Sequence, residues 1–349
     1  MTSRNRWDFE RARRWQTERG WRVGCNFAPS GASNPLEMWQ EATFDLPTLE
    51  RELGWAADLG FTSLRVFLHD LAWEQDPAGF EARMDTFLAA ADRRGIATLP
   101  VFFDGVWNPA PAPGAQPEPR PRVHNAGWVQ SPGARVLSDR ARQDALAPYV
   151  QGVLDRFRDD PRIDGWDLFN EPDNPNFAYR DEEIPDKAAR ALELVRKTFG
   201  WAREVDPSQP LTVGVWVGDW ADSEALSEMS RTSLESSDVI SFHCYGDLGE
   251  LEQRVETLRR FERPLLCTEF MARSAGSTFD PHLGWMKNVG VGAYCWGFVA
   301  GRTQTQYPWV SWVKPFDAEP DPWFHDILRP DGTPWDPREV AYIRSCTGA

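Results

Sequence analysis

Eight short apolar runs, each followed by a helical pattern, do most to narrow the folds open to this chain. The runs fall at 21–27, 63–68, 97–103, 165–170, 211–216, 239–243, 265–269 and 292–298. They are short, apolar and bounded by Pro, Gly or polar turns, which is how strands buried on both faces read. Between them, 46–59 sets Leu49, Leu53, Ala56, Ala57 and Leu59 on one stripe, and 80–94 does the same with Phe80, Met84, Phe87, Leu88 and Ala91. Similar patterns lie at 139–157, 186–205, 248–261 and 337–343, with shorter ones at 222–229 and 281–288. Such alternation predicts a parallel sheet, and eight strands are the number that closes one into a barrel. The prediction is a single (β/α)8 TIM barrel occupying residues 1–349. The rival, an open doubly wound sheet, needs a glycine-rich nucleotide fingerprint after its first strand, and none follows 21–27.

Two connections are long. The loop after the third strand, 104–138, is rich in proline and carries Trp107, His124 and Trp128. The loop after the eighth, 299–335, carries Trp309, Trp312 and Trp323. Loops of this length in a compact barrel are functional walls or lids more often than slack.

Composition sets aside several classes of function. The net charge of −15 repels phosphates, so a nucleic-acid partner is not expected. No apolar stretch reaches the roughly 18 residues of a membrane span, so no transmembrane helix is predicted. Residues 1–10 are charged and amphipathic where a signal peptide needs an apolar core, which points to a cytoplasmic location. The cysteines, Cys25, Cys244, Cys267, Cys295 and Cys346, are odd in number and lack CxxC spacing, so buried free thiols are expected rather than a disulfide framework or a zinc site. Alternation along the seventh strand would put Cys267 on the same face as Glu269. The chain holds 18 Trp, and an indole is a natural stacking platform for a sugar ring as well as core filler.

Chemistry enters with two glutamates, each at the C-terminal end of an apolar run: Glu171 after 165–170 and Glu269 at the end of 265–269. A carboxylate at the end of a buried strand is unfavourable without a partner or a task. The tripeptide Asn170-Glu171-Pro172 has a plain reading as a helix start, because Asn caps well and Glu suits a first turn. The whole set speaks against it. Active sites of such barrels lie at the C-terminal ends of the strands. There the sequence places Arg65, Asn170, Glu171, Trp216, His243, Tyr245, Glu269 and Trp296 together.

Those motifs, Phe169-Asn170-Glu171-Pro172, His243-Cys244-Tyr245, Thr268-Glu269 and Trp296, resemble the retaining glycoside hydrolases of clan A, and family 5 among them, over nearly the whole chain. The resemblance implies that Glu171 is the acid/base, Glu269 the nucleophile and Asn170 the partner of the sugar 2-hydroxyl. It further implies that Tyr245 hydrogen-bonds the nucleophile, Arg65 keeps it ionised and Trp296 floors the −1 subsite. The chain departs from the family at the end of strand three, where Val101-Phe102-Phe103-Asp104 stands in place of a histidine motif. Asp104, His69 or His124 is then the candidate for that sugar contact. No cofactor is implied.

Retaining hydrolysis needs a proton donor and a nucleophile on carboxyl groups about 5–5.5 Å apart. The expected substrate is a short β-linked oligosaccharide. Action at a chain end is expected, because the segment 34–40 with Trp39, together with Trp107, Trp128, Trp309 and Trp312, would wall one end of the cleft. A further resemblance to the family 5 members that act as β-mannosidases on short oligosaccharides implies an exo-acting β-mannosidase. An endo-β-1,4-mannanase or a β-glucanase/cellulase is the alternative. A carbohydrate-binding barrel without activity would not need both glutamates. A metal hydrolase would need clustered ligands, and His69, His124, His243, His282 and His325 show no ligand spacing.

Overall fold

The structure, a computed structural model, describes residues 6–349. Residues 1–5, the start of the charged N-terminal stretch, lie outside the described residues. Strands β1 (Val23–Asn26), β2 (Ser63–Phe67), β3 (Ala97–Asp104), β4 (Trp166–Asn170), β5 (Leu211–Thr212), β6 (Ile240–His243), β7 (Leu265–Phe270) and β8 (Gly292–Trp296) form one parallel sheet in the order β5-β4-β3-β2-β1-β8-β7-β6. Its two edges meet. Val215, just past β5, bridges Phe242 of β6, and its N–H donates to the Ser241 carbonyl at 3.1 Å while His243 N–H donates back to Val215 at 3.0 Å. The sheet is therefore the closed barrel that eight strand–helix units predict. Nearly every strand residue is buried, as expected where helices cover the outside and side chains fill the inside.

Sequence-local chemistry starts the helices where the apolar stripes predict them. Asp45, Asp76, Asp247 and Asp336 each accept a backbone N–H at the head of Leu46–Asp58, Pro77–Asp92, Leu248–Arg259 and Pro337–Thr347. Three of the four also carry Pro in the first turn, where its missing N–H is harmless. The predicted helix 139–157 is in fact two, Arg140–Asp144 and Ala147–Phe157, with Pro148 opening the second. The predicted helix 222–229 starts later, at Glu228–Ser236. Its first part is turn, since Asp222 accepts Glu224 N–H at 2.8 Å and Ser227 becomes the cap. Predicted strand 211–216 keeps its ladder only to Thr212, and Gly214 follows where the chain turns from β4 towards β6.

The sequence reading missed the short helices Pro35–Trp39, Asp70–Gln75 and Ala134–Leu137 and one longer helix. Helix Phe9–Arg19 closes the barrel at the N-terminal ends of its strands. Trp7, Ala12 and Trp15 pack on Leu99, Val239, Leu266 and Tyr294, and Trp15 Nε1–H donates to the Asp164 carbonyl at 2.8 Å. With that end plugged, the opposite rim is left for the site.

Candidate active site

Strand register brings the polar residues to one level. Asn26 pairs with Arg65 on one side and with Trp296 on the other, Asp104 pairs with Asn170, and His243 pairs with Glu269. The last pair depends on a bulge: Phe242 opposes Cys267, but the next residue, His243, opposes Glu269 two positions on. That extra residue breaks the alternation of β7. Cys267 consequently packs outward in the main core while Glu269 faces the cavity, which corrects the shared face expected for them. All five cysteines are buried and free.

Arg65, fully buried, organises this level. Its guanidinium donates to Asp167 Oδ2 at 2.8 and 3.0 Å, Asn170 Oδ1 at 2.7 Å, Asn26 Oδ1 at 2.8 Å and Glu269 Oε1 at 2.9 Å. Five donors on a rigid fork are thus spent on four acceptors. Arg65 does not line the cavity, so it acts on a ligand through Glu269 and Asn170 and not by contact.

The two glutamates differ in their partners. Glu269 accepts from Arg65 at Oε1 and from the Tyr245 hydroxyl at Oε2, 2.8 Å away. Glu171 has no cationic partner in contact. Its Oε2 accepts from Asn174 Nδ2 at 2.6 Å, and His243 Nδ1 lies 2.7 Å from its Oε1. Burial drives the His243 pKa down to about 4, so the ring is neutral at working pH. Burial lifts Glu171 to about 7, opposed by the Asn174 hydrogen bond and by more distant Arg65. Burial also moves Glu269 upward. The neighbouring Glu171 adds to that rise, while Arg65 and the Tyr245 hydroxyl oppose it, so the role of Arg65 is to offset desolvation and not to depress the pKa outright. Asp104 is raised to about 6 by burial, against hydrogen bonds from Asn170 and Trp128.

The plain reading of Asn170-Glu171-Pro172 does not hold, because no helix starts there. The chain leaves β4 through Glu171 at φ 42°, a left-handed conformation costing about 1–3 kcal/mol for a residue with a side chain. Gly105 permits the close approach that holds it, since a Cβ there would sit 2.6 Å from the Glu171 carbonyl.

Above the carboxylates lies a cavity of about 270 Å³. Trp107, Trp128, Trp216, Trp296, Trp309 and Tyr245 give it aromatic walls, with Asp104, Asn125, Asn170, Glu171, Asn174 and Glu269 as its polar groups. Three loops interlock along one side of the rim. Asn34 Nδ2 reaches the Gly127 carbonyl at 2.8 Å, Asn125 N–H the Thr303 carbonyl at 2.8 Å, and Trp312 Nε1–H the His124 carbonyl at 2.8 Å. Arg302 adds both oxygens of Glu118 at 2.9 Å. Phe177, half exposed, stands beside Trp107 at the rim.

Most residues singled out in the sequence meet in this space. Asp104, Trp107, His124, Trp128, Asn170, Glu171, Trp216, Tyr245, Glu269 and Trp296 line it, and His243 touches both glutamates from below. Trp39 does not. It is buried between Phe44, Phe80 and Phe87, its indole donating to the Phe67 carbonyl at 2.7 Å, so it is a core residue. His69 also drops out, since its Nδ1 caps the helix Asp70–Gln75. Trp312 stands behind the wall, stacked on Trp107 at 5.3 Å. Trp323 stacks away from the cavity on Trp335. Asn26, Asp167, Asn174 and Asn125 were missed, because single Asn and Asp residues carry no pattern. For Asn26, which ends β1, and Asn174, just past β4, position near a strand end was the one available signal.

One oxygen of each glutamate and a ring nitrogen of His243 lie within 4.8 Å of one another, so one of the five histidines does join the carboxylates. The trio fits a cation poorly. Both Glu269 oxygens already accept hydrogen bonds, one of them from the Arg65 cation, and the His243–Glu171 contact has hydrogen-bond length.

No protein-family model matches the chain, and no curated protein matches it by sequence. Solved structures do. The exo-β-1,4-mannosidase Op5Man5 from Opitutaceae bacterium strain TAV5 aligns with TM-score 0.62 at 20% identity, over 94% of this chain and 60% of its own. The chain therefore spans about three fifths of that enzyme. The GH5_18 protein of Streptomyces cattleya, solved with GlcNAc, gives 0.59 at 14% identity, over 94% of this chain and 79% of its own. The endo-β-1,4-mannanase from Thermotoga petrophila gives 0.58 at 14%, over 96% and 77%. The chain shares the barrel fold of these proteins.

Proposed function

We propose that this chain is a retaining β-glycoside hydrolase that removes the terminal sugar from short β-linked oligosaccharides, with β-mannosides the leading substrates and the whole barrel acting as one catalytic domain. The observation that carries the reading is the carboxyl pair, with oxygens within 4.8 Å, one member beside Arg65 and Tyr245 and the other raised to about 7. Oxygens this close suit a nucleophile, whose carboxyl lies about 5–5.5 Å from the acid, better than the wider pair of an inverting mechanism. Glu269, whose anion is favoured by two donors, attacks the anomeric carbon. Glu171, protonated up to about pH 7, gives its proton to the leaving oxygen. Water, deprotonated by Glu171, then releases the sugar with its configuration retained.

The leaving group must pass Glu171, so the aglycone extends towards Asn174, Trp216 and Phe177, and the terminal sugar lies between Trp296, Trp128 and Asp104. The loop that carries Trp128 is tied there to the loops of Asn34 and Thr303, which supports action at a chain end. The nearby structures include a mannosidase and mannanases by name, which supports a mannoside. The test is a panel of aryl β-glycosides, short β-mannosides and cello-oligosaccharides, read by early NMR for product anomer and by chromatography for product size. Initial β-anomer and monosaccharide release are expected. An initial α-anomer removes the nucleophile assignment, and a rapid fall in mannan viscosity with mixed oligomers removes the exo reading.

A further inference from the structure

Asn125 has both side-chain polar atoms buried without any hydrogen-bond partner, and it lines the cavity. A buried amide left unpaired on both Nδ2 and Oδ1 is unfavourable, so a missing partner is implied. Its backbone is held in place from two sides, the N–H donating to Thr303 and the carbonyl accepting from Trp128 N–H at 2.9 Å. It sits next to Trp128 and Trp296 at the closed end of the cleft, beside a second, polar void of about 20 Å³ shared with Thr303, Thr305 and Asp326.

We infer that Asn125 recognises the terminal sugar, its amide N–H donating to one hydroxyl and its carbonyl accepting from the adjacent one. This rests on the hydrolase reading and adds a specificity-determining residue to it. A planar amide offering one donor and one acceptor side by side matches a vicinal pair of hydroxyls. A sugar whose hydroxyl at that position is already glycosylated cannot donate to it, so the same contact rejects internal units of a polymer. Sites built to bind a hydroxyl discriminate strongly against analogues lacking it, because the protein groups are then left unpaired.

Asn125 also has φ 48°, a conformation that Asn tolerates better than most residues, and the void beside it is large enough for one water. Either feature alone would account for the residue without a sugar. The variants separate these explanations. Glycine adopts φ 48° freely, so Asn125→Gly keeps the backbone and removes only the amide. Asn125→Asp keeps the shape and removes the donor. We expect Asn125→Gly to unfold at or above the wild-type midpoint, since it removes an unpaired buried amide, and Asn125→Asp below it, since it buries a carboxyl. Both should lose about 10- to 100-fold in kcat/KM on aryl β-hexosides. We also expect 3-, 4- and 6-deoxy aryl glycosides to show one position, or one adjacent pair, where the wild type discriminates and Asn125→Gly does not. Unchanged kcat/KM in a folded Asn125→Gly, or unchanged deoxy discrimination, overturns the inference. If the wild type hydrolyses no β-hexoside, the hydrolase reading fails separately. Asn125 is then read from hexose binding by Glu269→Ala, where loss on adding Asn125→Gly supports the contact and equal binding overturns it.

Discussion

Replacing Glu171 with Gln should stabilise the protein while disabling it, and the stabilisation should grow with pH. The carboxyl titrates near 7 when folded and near 4.5 when unfolded. A raised folded pKa means that the folded state binds the proton more tightly, so its contribution is complete below about 4.5 and is lost as pH rises through about 7. At 1.36 kcal/mol per pKa unit, the loss is about 1 kcal/mol at pH 5 and about 3 kcal/mol at pH 8, as orders of magnitude. Gln does not titrate and keeps the shape. Its amide N–H can donate to His243 Nδ1, since the neutral ring accepts in its other tautomer. A constant offset between the proteins is therefore possible, and the slope is the measure. Urea unfolding from pH 5 to pH 8 should show Glu171→Gln gaining about 2 kcal/mol relative to wild type over that window. The wild-type kcat/KM on poor leaving groups should fall above about pH 7, and Glu171→Gln should lose those substrates far more than nitrophenyl glycosides. A flat stability difference would refute the claim that Glu171 is held as a buried acid. Equal losses on both kinds of substrate would refute its use as one.

Glu269→Ala should abolish turnover, and azide should restore it on an activated aryl glycoside with an α-glycosyl azide as product, seen by NMR; restoration of the β-azide would contradict the nucleophile assignment. Arg65→Met leaves Asp167 and Glu269 without their shared cation, and removing one partner of a buried pair costs about 3–5 kcal/mol, to be read as a lower urea midpoint. A midpoint within experimental error of wild type would show that the Arg65 network is not stabilising.

The barrel was legible because parallel strands covered on both faces are continuous apolar runs and because apolar stripes mark the helices, although the stripe alone put the start of Pro77–Asp92 at 80 and overlooked its Asp76 cap and Pro77. Helix Phe9–Arg19 was not, since its apolar face is only Ala12 and Trp15 amid charged residues. The two glutamates were legible from position: a carboxyl ending an apolar run has few harmless explanations. Trp39 shows the limit of that logic. Its loop was placed correctly, but nothing in the sequence tells a tryptophan that faces inward beneath a loop from one that faces the cavity above it. Asn125 shows the converse, for its signal is the lack of a partner, which exists only once the chain is folded.

The division of labour between two identical side chains follows from where Arg65, the one fully buried cation among the described residues, is anchored. Arg65 comes from β2, Asp167 on β4 holds the fork by Nε and Nη2, and Asn26 on β1 holds Nη1, so the fork is fixed in place. What remains points across the barrel at Glu269 on β7, whose inward aim depends on the bulge against β6. Glu171, one residue past Asn170, sits above that fork and not beside it, with Asn170 taking the nitrogen nearest to it. Neutral groups, Asn174 and His243, are all that touch its carboxyl. A buried carboxyl with a cation can ionise, and one with neutral partners keeps its proton into the neutral range. The acid and the nucleophile are therefore assigned by strand register and one bulge, and exchanging the roles would require moving Arg65 from β2, not changing either glutamate.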